Sequence, residues 1–133
     1  MVTPHLTEAE IEELIRPPTD AEVAQALARF ATEVERHYGD RLKGLYLFGS
    51  RARGDHTPES DADVVVILRD GDWISSDEKR TLGDFAYDRL LESGAMIQGW
   101  PVPESSWLFP ESDRNPVLIR AMRRDAKDLQ PSS

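Results

Sequence analysis

Apolar residues recur along the chain with two different periods, and the order of these periods predicts the order of secondary structure. Helical spacing of apolar positions runs through residues 20–38 and again through residues 77–92. Continuous apolar stretches of strand length lie between and after the two predicted helices, at 42–48, 64–68 and 95–102. A last short helix is predicted after Asn115-Pro116. The pattern indicates a single α/β domain of the α+β type, with a small mixed β-sheet flanked by helices.

Prolines and capping residues divide the chain. A capping-box pattern at Thr7 and Glu10 opens a short N-terminal helix, which Pro17-Pro18 ends. We therefore predict three parts, an N-terminal helical segment over residues 1–18, the main domain over 19–128 and a disordered tail over 129–133. Side chains able to cap the two long helices lie at Asp20 for the first and at Ser75 or Ser76 for the second.

Composition narrows the class of protein. The chain has 133 residues, of which 39% are apolar and 31% charged, so it can build one core. No apolar run reaches the roughly 18–20 residues that a membrane helix needs, and the first residues lack the layout of a secretory signal. There is no cysteine, which excludes disulfides and thiolate metal sites. We therefore expect a cytoplasmic protein that does not associate with membranes.

The charge balance is strongly acidic. Sixteen basic residues stand against 25 acidic ones, which gives a net charge of −9 and a pI near 4.8. Tight binding to nucleic acid usually requires a basic face, because affinity comes largely from neutralising phosphates. We therefore expect no direct nucleic-acid binding. The balance favours a small anionic ligand held through a metal ion, or a basic protein partner.

A glycine turn at the end of one predicted strand lies close in sequence to two aspartates at the start of the next. Gly49 allows the backbone to approach a phosphate, and Ser50 adds a hydroxyl and a backbone N–H. Asp61 and Asp63 are two residues apart, so on an extended chain they point to one side, roughly 6–7 Å apart at the backbone. Two such carboxylates can bind one or two Mg²⁺ ions against phosphate oxygens. Arg53 can neutralise the leaving pyrophosphate with paired donors.

Each of these features alone also has an ordinary interpretation. An Asp-x-Asp at the start of a strand is often a turn with solvated acids, and a Gly-Ser after a strand is less specific still. Their combination at strand–loop–strand spacing favours a binding site. The five apolar residues that follow Asp63 add to this, because acids set against an apolar strand repel each other unless a cation joins them.

The motif Gly49-Ser50, ten intervening residues and then Asp61-Ala62-Asp63 resembles the signature of minimal nucleotidyltransferases within the DNA polymerase β-like superfamily. The segment Arg51-Ala52-Arg53-Gly54 and the preceding Ser60 extend the resemblance, as does the order of elements around the motif. The resemblance implies a polymerase β-like nucleotidyltransferase fold. It also implies that Gly49 and Ser50 hold a triphosphate, and that Asp61 and Asp63 are catalytic residues that bind Mg²⁺.

The resemblance is incomplete at one position. Similar sequences usually supply a third carboxylate from a later strand, as general base and second metal ligand. The predicted strand over 95–102 contains no acid, since Met96 stands about where an aspartate is expected and Gln98 cannot act as a base. Glu104, just after the strand, is the nearest alternative. Three interpretations stay open, which are a site with two acids, a contribution from an acid elsewhere, and weakened catalysis.

Small single-domain proteins of this kind are commonly antitoxins paired with a HEPN-type ribonuclease toxin. The resemblance then implies a Mg²⁺-dependent protein adenylyltransferase that moves AMP from ATP to a tyrosine hydroxyl of the toxin. One alternative is an enzyme that modifies a small hydroxyl compound such as an antibiotic. A second alternative is a nucleotidyltransferase-like antitoxin that neutralises its partner by binding alone, which the acid-free third strand favours and the intact motif opposes.

Overall fold

The computed structural model of the protein describes residues 5–130 and contains a four-stranded sheet with helices on both faces. Within these residues the strands are β1 (Leu42–Phe48), β2 (Ala62–Leu68), β3 (Ile97–Pro103) and β4 (Lys127–Asp128). The helices are α1 (Glu8–Ile15), α2 (Asp20–Tyr38), α3 (Ser50–Arg53), α4 (Ser75–Ser93), α5 (Glu104–Leu108) and α6 (Pro116–Asp125). Short 3₁₀ turns lie at Gly39–Arg41 and Pro110–Ser112.

The sheet has the strand order β3-β2-β1-β4 and is mixed. β1 runs antiparallel to β2 and to β4, whereas β3 runs parallel to β2. The single α+β domain with a small mixed sheet is therefore confirmed. The sequence did not predict β4, because two residues are too short to show a period of alternation.

The central strand β2 is buried because helices cover both of its faces. Val64, Val66 and Leu68 pack with α2 and α4 on one face, and Val65 and Ile67 pack with α6 on the other. All five side chains are at most 2% exposed. Full burial of a Val, Leu or Ile side chain contributes about 1.5–3 kcal/mol, so this continuous apolar run anchors the fold.

The helix starts differ in part from those predicted. Thr7 caps α1 as expected, by accepting a hydrogen bond from the backbone N–H of Glu10. For α2 the cap is Thr19 and not Asp20, because Thr19 and Glu22 form a reciprocal capping box that satisfies two backbone N–H groups. At α4 the preceding residue is Ile74 with no side-chain cap, so the prediction of a serine cap is wrong.

The helical spacing of apolar residues over 77–92 predicts an apolar face that includes Leu91, but α4 does not bury this residue. Leu91 is 68% exposed, whereas Arg89 is buried and pairs with Glu33 of α2 and Glu92. A helical period alone misplaced Leu91, because a long arginine stem can fill the contact with α2 while its head group finds carboxylates.

The C-terminal boundary of the fold lies beyond the predicted one. The backbone N–H of Leu129 donates to the carbonyl of Leu45 at 2.9 Å, and its side chain packs against the core, so the ordered fold extends past the predicted boundary at 128. The remaining residues of the predicted tail, 131–133, lie outside the described residues, as do the first four residues of the N-terminal segment. No helix among residues 5–130 combines the length and apolar character that crossing a bilayer requires.

Candidate nucleotide site

The turn after β1 brings the glycine of the motif into contact with one of its aspartates. Phe48, the last residue of β1, pairs with Asp63 of β2. Gly49 then adopts φ +79°, a conformation that favours glycine. A Cβ atom at this position would lie 3.0 Å from Oδ2 of Asp63. Glycine is therefore required at 49 for its backbone angle and for the space that Asp63 occupies.

The segment after Gly49 is a single helical turn, α3. The backbone N–H groups of Ala52 and Arg53 both donate to the carbonyl of Gly49 at 3.0 Å. Gly54 ends the turn in the left-handed region. The N–H groups of Ser50 and Arg51 come first in the turn and have no acceptor within it. Backbone donors and the Ser50 hydroxyl thus lie next to the turn that contacts Asp63.

The two aspartates of the motif project to one side of the sheet. Ala62, between them, is fully buried in the core formed with α2 and α4, and its N–H donates to the carbonyl of Met96 at 2.8 Å. Alternation along β2 therefore directs Asp61 and Asp63 to the opposite side. This arrangement is the one the sequence predicted from their spacing.

A cation bound beside Asp63 would stabilise its charged carboxylate. Burial raises the pKa of the Asp63 carboxyl above its usual range, and the negative charge of Asp61 raises it further. The indole N–H of Trp100 and the ammonium of Lys79 act in the opposite direction. Carboxylate oxygens are the ligands that Mg²⁺ prefers, so Asp61 and Asp63 form a donor set that fits a hard divalent ion.

No acidic side chain of β3 completes this donor set. The parallel register places Gln98 beside Asp63, and β3 has the sequence Ile-Gln-Gly-Trp-Pro-Val-Pro. Glu104 follows Pro103, which pairs with Leu68 at the other end of β2, about 17 Å along the strand from Asp63. The alternative that Glu104 supplies the third carboxylate is therefore wrong. Among the described residues, no group of three or more acidic or histidine side chains is placed to hold a metal ion.

Lys79 and Trp100 belong to the surroundings of Asp63, and the sequence analysis placed neither of them there. Lys79 Nζ donates to the carbonyl of Gly99 at 3.2 Å and lies 3.8 Å from the centroid of the Trp100 ring. The Trp100 Nε1 atom is buried, and among residues 5–130 no acceptor meets the geometry of a hydrogen bond to it. It is still near enough to Asp63 to lower the pKa of that carboxyl. The sequence offered no signal for Lys79, because it reaches the site from α4, far from the motif.

The arginines of the motif hold protein groups. Arg53, predicted to contact phosphate, pairs with Asp125 at the end of α6 at 2.8 Å and with Asp55 at 3.1 Å. The side chain of Arg51 is only 5% exposed and donates to the carbonyl of Ser60 at 2.9 Å, with further bonds to the carbonyls of 57 and 58. Arg51 thus fixes the loop between the two halves of the motif.

An open cavity of about 600 Å³ lies on the same sheet face, toward the C-terminal end of β3. Its walls include the aromatic residues Trp73 and Trp100, and the charged residues Asp113 and Arg114. Trp100 therefore borders both the cavity and the surroundings of Asp63. A ligand bound at the aspartates can extend toward this cavity without crossing a strand.

Residues 27–98 match the family model of the nucleotidyltransferase domain, and this match contains the turn at Gly49, both aspartates and all of α4. The chain belongs to the nucleotidyltransferase domain family. A related protein of Methanocaldococcus jannaschii, named "Putative protein adenylyltransferase MJ0604", is 42% identical over 86 residues, which cover 64% of this chain and 76% of that protein.

Solved structures share the fold of this nucleotidyltransferase domain. One is a "putative nucleotidyltransferase" from Sulfolobus solfataricus, with 22% identity, a TM-score of 0.52 and coverage of 76% of this chain and 79% of that one. Another is a toxin–antitoxin with AMP-PNP, with 20% identity, a TM-score of 0.52 and coverage of 77% and 71%. The predicted nucleotidyltransferase fold is therefore confirmed.

Proposed function

We propose that the protein transfers AMP from ATP to a tyrosine hydroxyl of a HEPN-type toxin and thereby acts as its antitoxin. The observation that carries the proposal is the close approach of the Gly49 turn to Asp63, since it sets the backbone donors of Ser50 and Arg51, which have no acceptor within the turn, near the Asp63 carboxylate. The name of the archaeal relative, a protein adenylyltransferase, supports a protein acceptor. The fold shared with a toxin–antitoxin that contains AMP-PNP supports the choice of partner and nucleotide.

In the proposed reaction, the tyrosine hydroxyl loses its proton to solvent and its oxygen forms a bond to the α-phosphorus. The bond from that phosphorus to the bridging oxygen breaks, and its electron pair leaves with pyrophosphate. The backbone at Gly49 and Ser50 orients the triphosphate. Asp61 and Asp63 would hold Mg²⁺, which supplies charge neutralisation in this type of transfer. Positioning and electrostatic stabilisation then account for most of the rate.

The absence of an acid from β3 bears on the acceptor. A general base is needed less when the attacking hydroxyl loses its proton readily. A phenol has a pKa of about 10 and is therefore a better acceptor in such a site than an alkyl hydroxyl. The net charge of −9 also suits contact with a basic, RNA-cleaving partner. Both points favour a tyrosine of a toxin.

The test is transfer of label from α-labelled ATP with Mg²⁺, with and without the protein encoded beside this one. We expect label on a tyrosine of the partner, located by peptide mass spectrometry, and no transfer from γ-labelled ATP. Asp61→Asn/Asp63→Asn should abolish labelling, whereas Asp72→Asn, in an exposed turn, should retain it.

Two other outcomes select the alternatives. A tight complex that inhibits the toxin without any label, even at high protein concentration, would show that binding alone neutralises the partner. The acid-free β3 is the observation that favours this second candidate. Label on an aminoglycoside or lincosamide, and none on protein, would identify a small-molecule nucleotidyltransferase.

A further inference from the structure

We propose that the ammonium of Lys79 takes the electrostatic place of a second divalent cation, so that this site holds one divalent ion with a nucleoside triphosphate. The inference rests on the proposed function, because it concerns the same site. It adds the number of ions bound and the residue that limits this number.

Close packing between α4 and β3 fixes the position of Lys79. A Cβ atom at Gly99 would lie only 2.9 Å from Cβ of Leu82, so α4 approaches the strand as near as a glycine permits. Lys79 precedes Leu82 by nearly one helical turn and therefore lies over the same strand. Because β3 is at the edge of the sheet, Lys79 Nζ can reach the carbonyl of Gly99 at 3.2 Å.

Trp100 connects this ammonium with the aspartates. The ring carries Lys79 Nζ over one face at 3.8 Å, which is a favourable cation–π distance. The register pairs Asp63 with Gln98 and Val65 with Trp100, so Trp100 shares the sheet face of Asp63. The backbone carbonyl and the indole thus hold a positive charge close to Asp63 but outside ion-pair distance among the described contacts.

The ligands of the site then allow one divalent ion. The two aspartates and the phosphate oxygens of a bound triphosphate can hold the ion that accompanies the nucleotide. A second divalent ion at the aspartates would need further carboxylate ligands. The neighbour of Asp63 on β3 is the neutral Gln98. A second ion would therefore lie near a fixed ammonium without an acid to bind it.

The inference is tested by counting Mn²⁺ ions bound per chain, with α,β-methylene ATP present at one per chain. Native mass spectrometry gives the count, and the electron paramagnetic resonance signal of free Mn²⁺ gives the affinity. We expect one ion for the wild type and for Lys79→Arg. In Lys79→Met the single ion should bind about tenfold more tightly, because a neighbouring positive charge is lost. Lys79→Met/Gln98→Asp should bind two ions.

Two controls separate a local effect from a general one. Lys43→Met removes the same charge from an exposed position at the far end of β1 and should leave the count and the affinity unchanged. Gln98→Asp alone should still bind one ion, because Lys79 neutralises the new carboxylate. Thermal melts of all variants confirm that each is folded.

Two ions in the wild type would overturn the inference. Two ions in Gln98→Asp, bound as tightly as in Lys79→Met/Gln98→Asp, would also overturn it, because Lys79 would then have no effect on the number of ions or their affinity. Both of these results leave the proposed transfer of AMP intact. No Mn²⁺ bound to any of the proteins in the presence of the analogue would overturn the proposed function itself.

Discussion

At Gly49 the backbone angle and the space beside Asp63 both require a glycine. We expect Gly49→Ala to lower the free energy of unfolding by about 2–3 kcal/mol, which combines the strain of a backbone conformation almost confined to glycine (φ +79°, ψ −159°) with displacement of the carboxylate. Gly54→Ala is the control for left-handed strain alone, since Gly54 has φ +85° and ψ 8° and no atom within 4 Å of an added Cβ. It should cost only about 1–2 kcal/mol.

Urea unfolding measures both losses. Equal losses for the two variants would show that neither the backbone conformation of Gly49 nor the contact with Asp63 adds to left-handed strain. Gly49→Ala/Asp63→Ala isolates the contact, because truncation of Asp63 should remove the part of the Gly49→Ala loss that comes from the carboxylate.

Asp63 is expected to reduce stability while no cation is bound. Its pKa is raised in the folded protein by burial and by Asp61, so the folded state binds this proton more tightly than the unfolded chain. Stability therefore falls as pH rises from the unfolded pKa through the raised folded pKa, and the full cost is present at neutral pH. Asp63→Asn should raise Tm in EDTA by roughly 2–4 °C at pH 7.

The same variant provides a pH test. The advantage of Asp63→Asn should shrink as pH is lowered below the ordinary pKa of aspartate, because wild-type Asp63 is then protonated in both states. Asp72→Asn, in an exposed turn, should shift Tm little at any pH. A lower Tm for Asp63→Asn in EDTA would contradict this account of the site.

At the scale of elements, the contact between α4 and β3 determines where Lys79 lies. Gly99→Ala would force the helix away from the strand and should cost about 1–3 kcal/mol, as overpacking usually does. Gly83, in the same helix, has no atom within 4 Å of an added Cβ. Gly83→Ala should therefore stabilise the protein by about 0.5–1 kcal/mol through helix propensity.

Thermal melts of the two variants are compared directly. Shifts of Tm in opposite directions are expected, and destabilisation by both would show that α4 tolerates no change at either position. Gly99→Ala should also change the Mn²⁺ affinity, since it moves Lys79, whereas Gly83→Ala should not.

The elements that the sequence predicted best are those whose signals are local. β1, β2 and α2 have long periodic patterns bounded by turn residues, and the motif joins the first two by sequence spacing alone. Thr19, and not Asp20, caps α2 because Glu22 lies three residues after Thr19 and completes a capping box with it. The position of Lys79 near the site depends on packing between α4 and β3, because its partner Gly99 lies twenty residues further along the chain. A local pattern of residues does not reveal such a contact.

Glu104 shows that a residue close to β3 in sequence can still lie far from the site. In sequence it is the first acid after β3, but the parallel register sends it to the opposite end of β2 from Asp63. Direction along the strand, and not distance in sequence, decides which side chains meet. A strand that continues in the same direction carries its following residues away from the site.

At the scale of the whole molecule, the site combines residues from several elements of the fold. The Gly49 turn leaves β1, Asp63 belongs to β2, Gln98 and Trp100 to β3, and Lys79 to α4. A ligand held by these elements binds the folded state and not the unfolded chain. Its binding free energy therefore adds to the stability of the entire domain.

We accordingly expect AMP-PNP with Mg²⁺ to raise Tm, and each alone to raise it less. At a ligand concentration of 100 times Kd, the linkage adds about 2.7 kcal/mol, or on the order of 5–10 °C for a domain of this size. Differential scanning fluorimetry measures the shift. Asp61→Asn/Asp63→Asn should lose the shift, and Asp72→Asn should keep it. An equal shift in the double variant would place the nucleotide elsewhere, because that protein lacks both of the carboxylates proposed to hold its metal ion.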